Sequence, residues 1–127
     1  MFKSRLIVDN IYQRQTLFIS CKTKQEYQKA FYYAFREQLQ DENDIISCDD
    51  FFESESESNI GRTIFERNVC IIIVKGEQTK FEYIAHEIFH AVELHFEKIG
   101  MTHSESSSEA WAYYIQFLTK EILETLN

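Results

Sequence analysis

His86 and His90 stand four residues apart, and Glu87 follows the first directly, in an apolar stretch from Ile84 to Phe96. On a helix, four residues turn through about 400°, so the two imidazoles lie one above the other and can aim ring nitrogens at a single ion. Glu87 falls about 100° round from His86, beside such an ion without ligating it. A carboxylate there can take a proton from water held on the metal. His86-Glu87-Ile88-Phe89-His90 is thus an H-E-x-x-H arrangement, two zinc ligands with a general base between them. The plainer reading is a helix with two partly buried histidines satisfied by backbone or carboxylate groups.

A catalytic zinc needs three protein ligands and one open position. His95 is nine residues from His86, about half a turn out of phase, so it faces away. Glu93 is nearly collinear with the two histidines and would close a tetrahedron poorly. Glu109 is the better candidate. It lies 19 residues after His90, past Gly100, where an antiparallel second helix would bring its start back toward the first. Ser106-x-x-Glu109 is also a capping box, so the glutamate has a purely structural use, and Glu105 and His103 stay open as alternative ligands.

His86-Glu87-x-x-His90 with a downstream helical Glu109 resembles the gluzincin group of zinc metallopeptidases. The shortness of the chain is most similar to the minimal gluzincins and the short zincin-like proteins of phages and mobile elements. The likeness covers residues 61 to 125. It implies a zincin-like fold with one zinc per chain on His86, His90 and Glu109, and Glu87 as the base that assists zinc-bound water in attacking a peptide bond. It also implies that a sheet edge strand, residues 69–75 or 61–66, holds the substrate in extended form. Many gluzincins carry an aspartate four residues after the ligand glutamate, orienting the first histidine. Tyr113 occupies that position here, and a phenol raises ligand basicity less than a carboxylate does. The metzincin pattern fails, because its required glycine and third histidine are Glu93 and Phe96. The developing oxyanion needs a second electrophile beside the metal, for which His103, Tyr113 and Tyr114 are candidates.

The elements that must position these groups follow from periodicity. Residues 5–20 read as one long or broken strand, irregular at Asp9-Asn10. Thr23-x-x-Glu26 caps an amphipathic helix carrying Tyr27, Ala30, Phe31, Ala34, Phe35 and Leu39. A short strand is expected around Ile45–Phe52, with a solvated acidic loop after it. Strands at about 61–66 and 69–75 are joined by a tight turn near Arg67-Asn68. Val69 to Val74 is apolar throughout, which predicts a strand covered on both faces. The histidine helix runs from about Thr79 to Ile99 and stops at Gly100. A last helix begins near Ser106–Ser108 and reaches about Thr125. The expected fold is α+β: a small, mostly antiparallel sheet with an N-terminal helix, the H-E-x-x-H helix and a C-terminal glutamate helix, in one domain over residues 1–127.

At 127 residues with 44% hydrophobic content, the chain can bury a core without disulfides. Cys21, Cys48 and Cys70 are scattered and odd in number, as expected of reduced core cysteines in a cytoplasmic protein. A net charge of −8 argues against nucleic acid and anionic membrane as partners. The apolar runs are too short to span a bilayer, and the N-terminus lacks a signal-peptide core. Three readings follow. The first is a peptidase acting on a protein or peptide substrate in the cytoplasm of a bacterium or phage-infected host. The second is a zincin-like structural or regulatory module that binds zinc without turnover. The third is a metal-free protein whose acidic residues 41–58 engage a basic partner.

Overall fold

The computed structural model describes residues 2–39, 44–53, 60–76 and 80–127. Its elements are β1 (Lys3–Val8), β2 (Gln15–Cys21), α1 (Lys24–Phe35), α2 (Asp49–Glu53), β3 (Gly61–Glu66), β4 (Val69–Lys75), α3 (Phe81–Lys98) and α4 (Ser108–Leu126). The four strands form one sheet in the order β1-β2-β4-β3. It is α+β, as expected, but the sheet is mixed. The β1–β2 and β3–β4 pairings are antiparallel, whereas β2 and β4 run parallel. The two central strands are the apolar ones, and both of their faces are buried. Phe18, Cys70, Ile72 and Val74 face α3 and α4, while Leu17, Ile19, Ile71 and Ile73 face α1 and α2. The alternation sends successive side chains of one continuous apolar run into two separate cores.

Local chemistry sets the boundaries. Arg67 and Asn68 have φ of 53° and 68°, so the expected β3–β4 turn is a two-residue hairpin with both central residues left-handed. Thr23 Oγ1 accepts from the Glu26 backbone N–H, as its capping box requires. Gly100, at φ 77°, ends α3, and the Met101 N–H reaches back to the Phe96 carbonyl at 2.8 Å. The expected break at Asp9-Asn10 is a full turn between β1 and β2. There the Asp9 carboxylate accepts from the backbone N–H groups of Ile11 and Tyr12.

One expected element is different. Residues around Ile45–Phe52 do not form a strand; Asp49–Glu53 is the short helix α2. Two aspartates at its first turn suit a helix N-terminus electrostatically. Only Phe51 of its residues is buried, which a two-residue alternation would not produce. Lys24 and Arg62 pair with Asp49 and Asp50 at 2.7 and 2.6 Å and tie α2 to α1 and β3. Most of the acidic loop after it, and the expected helix start at Thr79, lie outside the described residues. No helix among the described residues is long and apolar enough to cross a membrane.

Candidate metal centre

Helix α3 lies on the sheet through Ile84, Ile88, Ala91, Val92 and Phe96, all buried. That stripe turns His86 and His90 to the opposite, outer side and leaves Glu87 on the flank that faces β3. The two imidazoles meet edge to face, with Nε2 3.1 Å from Nε2. Tetrahedral zinc with ordinary Zn–N bonds holds two ligand nitrogens about 3.3 Å apart. The separation fits two ligands of one ion; it also fits an N–H of one ring facing the lone pair of the other. His90 Nδ1 faces the Glu93 carboxylate at 3.7 Å, so Glu93 addresses the back of the His90 ring.

Glu87 is 8% exposed. Thr63 Oγ1 lies 2.9 Å from its Oε1 and 3.1 Å from its carbonyl oxygen. The side-chain oxygen is the nearer of the two acceptors. Opposite the carboxylate stands Gly61. A Cβ at that position would come within 3.0 Å of Glu87 Cγ and 3.3 Å of Oε2. Neither residue carries a signal in the sequence: Gly61 and Thr63 are 26 and 24 positions from Glu87, and only the docking of β3 on α3 joins them.

Of the two strands expected to offer an edge, β4 is interior and β3 is the edge. Ile60 and Lys75 are opposite one another and hydrogen-bonded, with Lys75 N–H donating to Ile60 O at 2.9 Å. Antiparallel pairing alternates, so Arg62, Ile64 and Glu66 continue those bonds to β4. The peptide groups of Gly61, Thr63 and Phe65 point outward, where no strand pairs with them among the described residues. These are the residues whose row of side-chain positions faces α3 and Glu87.

On the far flank of α3, Phe89 contacts the His90 ring and Trp111 of α4 at 6.2 and 5.8 Å between centroids. Trp111, Tyr114, Leu118 and Ile122 bury the inner side of α4. Glu109, two positions before Trp111, is about 200° away on the outer side, and is exposed with Ala112 and Tyr113. It does not close a capping box. Helix α4 has Ser107 at its N-cap, without a side-chain cap hydrogen bond. Tyr113 is 65% exposed, and His103 rests its ring on Trp111 at 4.9 Å. Tyr114 is in the core, where burial pushes its hydroxyl well above the usual tyrosine value. Among the described residues, no three His, Cys, Asp or Glu side chains gather as a group that could hold a metal ion. The histidine pair fits zinc; Glu109 is not drawn up to it.

His95 faces away from the pair, as its phase requires, and is wholly buried. Arg14 Nε–H donates to its Nδ1 at 3.3 Å, and its Nε2 meets Thr16 Oγ1 at 2.7 Å. The arginine makes Nδ1 the acceptor, so the proton belongs on Nε2 and is donated to Thr16. Burial, and secondarily the Arg14 charge, lower the His95 pKa to about 4. This imidazole is neutral and structural.

A cavity of about 690 Å³ opens elsewhere, lined by Phe31, Phe35, Leu39, Ile46 and Arg67 among others. Its apolar lining belongs to the core on the α1 face of the sheet, across from the histidines. Compared with protein-family models, curated proteins and solved structures, the chain matches none.

Proposed function

We propose that this chain is a zinc-dependent metallopeptidase that cleaves a protein or peptide held along β3. The observation that carries the proposal is the convergence of His86 and His90, Nε2 to Nε2 at 3.1 Å, with Glu87 on the adjoining flank. His86 and His90 would hold the ion, and Glu109 is the proposed third ligand. A bound zinc supplies a Lewis acid and brings the pKa of water to roughly 7.

The chain's own groups do the rest. An extended peptide adds to the open edge of β3 through the outward peptide groups of Gly61, Thr63 and Phe65, as in strand addition generally. That lays a scissile carbonyl alongside α3. Glu87 takes the proton of the attacking water and returns it to the leaving amine. Glu93, 3.7 Å from His90 Nδ1, is the proposed group that orients the His90 ring. His103 and Tyr113 are the proposed electrophiles for the developing oxyanion.

A second reading is favoured by one observation, the outward placement of Glu109. In it, the histidine pair binds zinc as a structural or regulatory element and nothing is hydrolysed. Glu87→Gln separates the two. A peptidase loses turnover and keeps its zinc, whereas a binding module shows no hydrolysis before or after the change.

A further inference from the structure

We propose that Thr63 is the positioning residue for Glu87, and that Gly61 supplies the room its carboxylate needs, so that the substrate-binding strand also aims the base. The inference takes its chemical consequence from the peptidase reading; its structural content stands apart from it.

The geometry divides the carboxylate between two neighbours. Oε1 receives the Thr63 hydroxyl at 2.9 Å. Oε2 lies over Gly61, in space that any side chain would enter, since even a methyl carbon would stand 3.3 Å from it and 3.0 Å from Cγ. Gly61 is not there for its backbone: its φ is outside the left-handed region that Gly76 and Gly100 occupy. Clearance is what the position demands. One oxygen is thereby fixed by a donor, and under the peptidase reading the other is the one that accepts a proton.

Thr63 also joins base to substrate. Its hydroxyl points to α3, while its peptide group lies on the open side of β3. A peptide pairing with that edge would bond to the backbone of the residue that holds Glu87. The strand then sets the distance between the scissile bond and the base by a single side chain. Misplacement of a catalytic group by about 1 Å can cost 100-fold in rate, so a donor at this point matters more to turnover than to stability.

The test uses the full chain with Thr63→Val, which keeps the shape and removes the hydroxyl, Thr63→Ser, which keeps the hydroxyl, and Gly61→Ala. Crystal structures of these and the wild type read the Glu87 carboxylate directly, whether or not a substrate is turned over. Glu87 is expected to stay on residue 63 in wild type and Thr63→Ser, and to leave it in Thr63→Val and Gly61→Ala, with zinc content unchanged. On a quenched fluorescent peptide library, kcat should fall about 10- to 100-fold in the two displaced variants with KM little changed, and Thr63→Ser should restore it. An unmoved Glu87 in Thr63→Val overturns the proposal, as does loss of zinc and fold that serine fails to rescue. If Glu87 moves as expected but zinc-loaded wild type cleaves nothing, the positioning role stands and the peptidase reading falls.

Discussion

His86 and His90 meet through their Nε2 atoms at 3.1 Å, while the Nδ1 of His90 faces Glu93 at 3.7 Å. One nitrogen of His90 has a carboxylate nearby and the other faces its partner histidine. Replacing Glu93 by Gln should therefore weaken zinc binding by about 10-fold, the usual range for a carboxylate behind a ligand histidine, with thermal stability hardly changed. Competition against a chromophoric chelator measures it. Unaltered affinity would remove Glu93 from the site.

Glu109 makes a sharper case. Because it does not cap α4, Glu109→Ala should alter stability by no more than about 0.5 kcal/mol, as for an ordinary exposed position. As a ligand, it should cost zinc affinity at least about 10-fold. Denaturant unfolding of the metal-free protein and a zinc titration read the two effects separately. Full affinity in the variant would leave the site with two protein ligands, and with them the non-catalytic reading.

Glu87→Gln keeps an acceptor for the Thr63 hydroxyl and removes the base. Hydrolysis should fall by about 100- to 10,000-fold with zinc per chain unchanged. A variant that still cleaves at the wild-type rate would show that Glu87 takes no proton.

The buried His95 predicts an acid limb in stability. Its folded pKa, about 4, is below its ordinary value, so between pH 6.5 and 4 the unfolded chain binds a proton that the folded chain refuses. Stability is retained above that window and declines as pH falls through it, by about 3 kcal/mol in all. Urea unfolding at several pH values, beside His95→Gln, isolates the effect. The advantage of wild type over the variant should shrink toward pH 4. A constant difference across the window would mean that His95 is not held neutral.

What the sequence made legible was what neighbours along the chain decide. Arg67-Asn68 announces a hairpin and Gly100 a helix end because turn and cap chemistry is local. The run Val69–Val74 announces a doubly covered strand because nothing polar interrupts it. The facing of His86 and His90 follows from helical phase alone. Phe51 and Phe52 mislead in the opposite way. Apolar residues in a short acidic segment suit a strand or a helical turn equally, and the choice is made by Asp49 and Asp50 meeting Lys24 and Arg62. The parallel pairing of β2 with β4 was hidden because it joins strands nearly 50 residues apart. Thr63 under Glu87 was hidden for the same reason, as was Arg14 on His95. Glu109 shows the limit from the other side: its capping box is present in the sequence and absent from the helix, which begins at Ser108.

The zinc site is tested most directly by zinc per chain, by elemental analysis, on untagged protein purified without chelator, beside a His86→Ala/His90→Ala variant. About one zinc per chain is expected in the wild type, as a single site of this ligand type holds, and its loss in the double variant. Zinc well below stoichiometry that added metal does not restore, or equal zinc in the two proteins, would contradict it.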